Sequence, residues 1–205
     1  MKKTSLIGLL LLLLLLPAAT LAFSVRSQEN LRVGEDEVID TNFYASAYEM
    51  EINGRIQGDL FCLGQNVTIN GSVAGDVICA AENLDINGPV GGSLRLAGDR
   101  IRLAGTTTRN ATILAADLEL KGSGQINGEL LVGSNRTTIN GRIKGDYHGA
   151  AAQTEINGVI GGNVSLYLDT RSNDQMVSSN LPAPIRVSQS AQVAGNVNYR
   201  AGRPG

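Results

Sequence analysis

One nine-residue phrase recurs along this chain: "INGRIQGDL" from Ile52, "INGSVAGDV" from Ile69, "INGPVGGSL" from Ile86, "INGRIKGDY" from Ile139 and "INGVIGGNV" from Ile156. The apolar residues that open successive units, Ile52, Ile69, Ile86, Leu103, Leu120, Ile139 and Ile156, are spaced by 17, 17, 17, 17, 19 and 17 positions. Self-similarity at a fixed period means stacked units, and the period decides their kind. Helical solenoids need about 33–47 residues per unit, so they are excluded. Seventeen residues hold two or three short strands with their corners. That is one coil of a single-stranded parallel β-helix, an all-β solenoid whose coils lie about 4.8 Å apart.

The residues between corners agree with strands. Ile56, Leu60 and Cys62 share one parity, and after a turn at 64–66 Val67 and Ile69 share the next, with Gln57, Asp59, Gln65 and Thr68 on the other side. Adding 17 gives Val73, Val77, Cys79, Leu84 and Ile86, and then Val90, Leu94, Leu96, Ile101 and Leu103. Apolar residues point inward and polar ones outward. Composition fits thin, regular strands: Gly is abundant at 25 residues, aromatics are 4% and Trp is absent.

Each unit also carries a corner glycine: Gly54, Gly71, Gly88, Gly105, Gly122, Gly141 and Gly158. Such a column marks a place where a Cβ would obstruct the next coil, or where the backbone needs positive φ. Asn precedes five of them, and Asn-Gly is a strong turn dipeptide.

The chain divides accordingly. Lys2 and Lys3, the apolar run Leu6–Leu16 and the small residues of "PAATLA" form a secretory signal peptide over 1–22, with cleavage after Ala22, or a retained anchor at the lower edge of spanning length. Either reading exports the remainder to the periplasm, cell envelope or extracellular space. An N-terminal flank follows at 23–38, then the repeat domain at 39–168, a polar loop at 169–184, and a partial terminal coil with a tail at 185–205. Eight or nine coils predict a rod about 40 Å long. Without Lys2 and Lys3 the chain has 15 basic and 19 acidic residues, a formal charge of −4. It offers no basic footprint for nucleic acid.

The period, the I-N-G-x-V/I-x-G-D/G phrase and the Gly-Asp corners together resemble the bactofilin family of polymer-forming cytoskeletal proteins, over residues 31–168 and more weakly 185–199. The resemblance implies a right-handed β-helix whose subunits stack end to end into non-polar filaments without nucleotide, as scaffolds for cell shape or envelope organisation. The leader makes the chain look more like the exported branch of that family. The stacking expectation also has a physical basis. A solenoid's ends present unpaired strand edges, and the short acidic flank "SQENLRVGEDEV" is a poor cap. The alternative is that 24–38 and 169–205 fold over the ends and leave a monomer.

Chemistry-bearing residues are few. Cys62 and Cys79 are one period apart, so stacking brings them within disulfide range, either bridged or as stacked core thiols. His148 is the only histidine and has no serine or cysteine motif nearby. Asp59, Asp76, Ser93, Asn110, Glu129, Asp146 and Asn163 form an outward column that suits either solvated corners or, less well, a calcium ladder. No catalytic, metal or cofactor site and no small-molecule substrate are expected. A polysaccharide-active β-helix would need longer loops and clustered acids. The remaining expectation is a non-catalytic scaffold that binds copies of itself, with cell-wall or membrane-associated proteins as further partners. Its rival is a monomeric adhesion or wall-binding module using outward Phe61, Leu63 and Ile78.

Overall fold

The computed structural model describes residues 23–168 and 185–201. The leader 1–22, the polar loop 169–184 and the tail 202–205 lie outside the described residues. The chain is an all-β solenoid of about eight turns with about 17 residues per turn. Long strands, among them Asn42–Ile52, Leu60–Ile69, Val77–Ile86, Leu94–Leu103 and Ala111–Leu120, stack in chain order in one 11-stranded sheet. Every pairing is parallel and joins equivalents one coil apart, as in Leu60 to Val77 to Leu94.

Each coil has three sides. In Leu60–Ile69, Leu60 and Cys62 face inward, the chain bends near Gly64, and Val67 and Ile69 face inward from the second side. After the Asn70–Gly71 corner the two-residue strand Ser72–Val73 makes the third side, with Val73 buried. Because parity resets at each bend, all three sides point their apolar residues into one core. Burying each large aliphatic side chain there is worth about 1.5–3 kcal/mol.

The third side consists of a three-stranded and a five-stranded sheet, linked through single bridges at Val90. The break has a chemical cause. Pro89 stands where Arg55, Ser72, Gln125 and Arg142 each donate a backbone N–H to the coil before, and proline has none to donate.

At the Asn-Gly corner one carbonyl serves two donors: Ile52 accepts the N–H groups of both Asn70 and Gly71, at 2.8 and 2.9 Å, and Ile69 does the same for Asn87 and Gly88. This draws the glycine onto the coil below. A Cβ on Gly71 would sit 1.8 Å from the Gly54 carbonyl oxygen, and one on Gly158 1.9 Å from that of Gly141. Gly54, Gly88, Gly105 and Gly141 are equally closed by backbone oxygens. None of these glycines has a left-handed φ, so close approach rather than turn geometry requires them.

Two sequence expectations need correction. Gly122 is not a corner glycine, since a Cβ there would meet nothing within 4 Å. The two extra residues of this coil form a turn closed by the Gly124 N–H to the Lys121 carbonyl, at 2.8 Å. Gln125 then pairs with Thr106, which puts Gly124 in the column above Gly105. The second correction is that 23–38 is part of the array rather than a flank. Phe23–Val33 pairs along Asn42–Ile52, with Leu31 and Val33 buried beneath Met50 and Ile52. A turn at Gly34–Glu37 supplies a second two-residue expansion, at the same corner as the first. At the other end Ile185–Val187, Gln192–Val193 and Val197–Ala201 complete a last coil.

These columns make a sharp prediction. Gly71→Ala should cost about 3 kcal/mol or more, because backbone must move. Gly122→Ala should lie within about 0.5 kcal/mol of the parent or slightly above it. Urea unfolding of both variants checks this, and equal losses would show that the contact column does not set the coil geometry.

Candidate functional site

Four arrangements are built from the repeat: the cysteine pair, the corner carboxylates, the two ends and the outer face. Cys62 and Cys79 occupy the same inward position of adjacent coils and form a disulfide, with Cα atoms 4.5 Å apart. Both are buried beside Leu96, which holds the equivalent place in the next coil. The bridge therefore staples two neighbouring coils through the core.

The outward Asp and Asn column does something that the sequence reading did not foresee. Asn42 Oδ1 accepts the Asp59 N–H, Asp59 Oδ1 accepts that of Asp76, and Asp76 Oδ1 accepts that of Ser93, each at 2.8 Å. Asn110 serves Glu129, Asp146 serves Asn163, and Asn163 serves Asn196 in the same way. Each side chain caps a backbone donor that the turn into the next coil leaves over. The glycines before them fit this. A Cβ on Gly75 would lie 2.2 Å from Asp59 Oδ1, and one on Gly162 2.1 Å from Asp146 Oδ1. The signal available in the sequence was the Gly-Asp dipeptide itself, whose two residues are two halves of one contact. Exposed Asn70 and Asn87 add a side-chain ladder, each amide donating to the Asn one coil earlier at 2.8 Å.

His148 stands on the outer face, in register between Leu131 and Ser165. Deeper in the same coil, Tyr147 is fully buried where other coils carry Phe, Leu, Val or Ala. Gly149 makes room for it, since a Cβ there would lie 2.7 Å from the phenol oxygen. Burial raises the Tyr147 pKa, an effect that the nearby Thr154 and Thr137 hydroxyls oppose, yet the phenol oxygen has no hydrogen-bond partner of normal geometry. It is enclosed in the core, which makes it a packing feature rather than a reactive group.

The two ends differ. At the N-terminal end Arg26 holds an inward position, in register with Ala45. Its guanidinium lies 5.5 Å over the Phe43 ring and is hydrogen-bonded to Glu37. The Arg26 hydrogen bond is the main reason the Glu37 carboxyl lies below the usual range. A charged pair thus covers this end of the core. At the C-terminal end the inward positions are apolar and, among the described residues, uncovered: Val187 is 51% and Tyr199 67% exposed, above the fully buried Ile156 and nearly buried Leu166.

The outer faces differ too. Over the second half of the long strands, charges alternate from coil to coil, as in the Arg102 guanidinium bonded twice to Asp85, at 2.5 and 2.6 Å. Over the first half lies an apolar groove lined by Val25, Phe61, Leu63, Ile78 and Leu114, with the Tyr44 and Phe61 rings stacked 4.6 Å apart. Arg95 is its one charged lining residue apart from Arg26, and it reaches back to Asp76 at 2.7 Å. No group of residues able to hold a metal ion and no helix long and apolar enough to cross a membrane occur among the described residues. No family model, curated protein or solved structure matches the chain.

Reduction tests the staple. The bridge closes a 17-residue separation, for which loop entropy gives about 3 kcal/mol. The urea midpoint should drop accordingly once the bond is reduced, while an unchanged midpoint would mean that the bond adds nothing to this core. Acid should act separately. Arg95 and the Ser93 N–H hold Asp76 below its usual pKa, as Arg26 does Glu37. A depressed carboxyl stabilises the fold above its unfolded value of about 4, and that stabilisation is lost as pH falls through the folded pKa. Stability should be level from pH about 7 to 5 and fall below about 4, with a shallower fall for Asp76→Asn together with Glu37→Gln.

Proposed function

We propose that the protein is a non-catalytic, self-assembling structural scaffold of the bactofilin kind, acting outside the cytoplasmic membrane in cell shape or envelope organisation. The observation that carries this reading is the open C-terminal end. Val187, Val197 and Tyr199 sit at positions that the coils from Asn42 to Leu166 bury, and no described coil lies above them. A second copy with the same three-sided cross-section is the surface whose shape matches that end. Pairing two such ends joins the rods through identical patches, an isologous contact that closes at two molecules. Growth into a filament then requires the N-terminal ends to meet as well, where the Arg26–Glu37 pair over Phe43 must be rearranged or buried. Inward-pointing charge of that kind is a common way to blunt an edge. The C-terminal contact is therefore the stronger one, and filament growth the step open to control.

Export rests on the Lys2, Lys3 and Leu6–Leu16 leader. The scaffold reading, in place of an enzymatic one, rests on coils that, over residues 23–168, keep to 17 residues with two-residue expansions at one corner. Over that span the coils leave no long loops from which a substrate cleft could be built.

The test is association measured by sedimentation, with negative-stain electron microscopy at low and physiological salt. The parent protein should form end-paired rods or filaments. Val197→Lys with Tyr199→Lys should weaken that association at least about tenfold, because lysine ammonium groups would be buried in an apolar contact. Arg26→Leu should favour longer assemblies. Rods that stay single at every concentration would discard the self-assembly reading in favour of a monomeric wall-binding module.

A further inference from the structure

The outer face of the first wall carries a second contact that the ends do not explain. Two columns of side chains run along it. Over the first seven coils one reads Val25, Tyr44, Phe61, Ile78, Arg95, Thr112, Leu131, and the other Ser27, Ser46, Leu63, Ala80, Ala97, Leu114, Gly133, before they continue through His148, Ser165 and Asn198 and through Ala150, Tyr167 and Arg200. Arg95 is the only charged residue of the fourteen in those seven coils. Leu63 and Leu114 are 60% and 62% exposed, large aliphatic side chains standing out from a sheet with little cost to be recovered unless something covers them. The neighbouring wall of the same strands carries the alternating acid and arginine ladders, so the absence of charge is particular to this face.

We propose that this face pairs with the same face of a second copy, the two rods lying side by side and antiparallel about a twofold axis that runs parallel to the strands over Ile78. The spacing of large and small residues points to that register. With Ile78 and Ala80 on the axis, each coil meets the coil as far beyond the axis as it lies before it. Leu63 then covers Ala97 of the other copy, Leu114 covers Ser46, and Val25 meets Leu131. Phe61 meets Arg95, whose methylene stem can pack against the ring edge while its guanidinium keeps its Asp76 partner. In the second column large side chains fall over small ones, which lets the two sheets approach to about 10 Å. Other registers do worse. An axis half a coil further on sets Leu63 against Leu114 and Arg95 against Ile78, and a parallel pairing of equal coils brings Arg95 towards Arg95.

The area supports a modest affinity. Seven coils at about 4.8 Å and four residues at about 3.3 Å give a flat footprint of roughly 400 Å² on each copy, the size of a weak, transient contact rather than a permanent one. A micromolar dissociation constant is expected for single rods. Rods joined through their ends would present several such faces in line, and their lateral pairing would tighten through effective concentration. The face and the ends are separate surfaces, so each can fail without the other.

The experiment uses the purified protein in two backgrounds, parent and end-blocked by Val197→Lys with Tyr199→Lys. Sedimentation of the end-blocked protein at up to about 100 µM should show a monomer–dimer equilibrium of micromolar strength. Leu63→Asp with Leu114→Asp should weaken it at least about tenfold. Both positions are exposed, and an unchanged circular dichroism spectrum and urea midpoint would show that the fold is kept. Register is read by crosslinking. Leu63→Cys and Ala97→Cys proteins, mixed and treated with a short bismaleimide, should join to each other, whereas Leu63→Cys alone should not join to itself. The disulfide-bonded Cys62 and Cys79 do not react with that reagent. An end-blocked protein that remains monomeric, an association unaffected by the aspartates, or self-crosslinking of Leu63→Cys would each overturn the proposal. If end-blocking has no effect but the aspartates do, the lateral contact stands and the end contact falls.

Discussion

The strand residues of successive coils in this rod lie directly above their equivalents, at strand spacing. A side chain must therefore tolerate its own kind as nearest neighbour, and the composition of each column follows. Inward columns take Ile, Leu and Val, which stack on themselves without cost. The Asn column links amide to amide. Charged columns cannot repeat one sign, and they alternate: Asp85, Arg102 and Glu119 follow one another in register. Where carboxylates do stack, at Asp59 and Asp76, backbone N–H groups and Arg95 disperse the charge.

The parts of the fold legible in the sequence are those that this constraint repeats unchanged. The period, the inward parity and the glycine at the Asn-Gly corner all come from contacts made identically in coil after coil. Where a contact was made once, the text gave no second copy to compare. The first coil, "SVRSQENLRV", has none of the repeated phrase and keeps only Leu31 and Val33 of the core pattern. It is held by backbone pairing that almost any sequence can supply. Gly122 was misplaced for a related reason. An insertion of two residues offers two glycines to one corner, and only the register of Gln125 with Thr106 shows that Gly124 is the one packed on the coil below. The role of the Asp column needed the third dimension, since a side chain bonding 17 residues ahead leaves no local trace.

A small-residue column shows how far the same logic reaches. Ala47, Gly64, Ala81, Gly98, Ala115, Ser134 and Ala151 follow one another at the bend inside the long strands. A Cβ at Gly98 would lie 2.2 Å from the Ala81 carbonyl oxygen, and one at Gly64 2.8 Å from that of Ala47, so these two coils give up even a methyl group to let the chain turn. The bend separates two walls built from one continuous strand. Its tightness keeps the outward columns on either side distinct in direction, which allows one wall to carry charge and the other to remain apolar.

That separation bears on how a simple repeat acquires specificity. Translation by one coil leaves an ideal solenoid unchanged, so its side faces could bind in any register and its ends to any coil. Departures from the repeat remove this ambiguity. Arg26 in place of an apolar residue marks one end as different from the other. Leu63 and Leu114, with Ala80 and Ala97 between them, mark positions along a face that would otherwise be uniform. Tyr147 with Gly149 does the same inside the core, fitting only the coil that provides both. The repeat supplies stiffness and length, and the few residues that break it decide which copy of the rod meets which, and where.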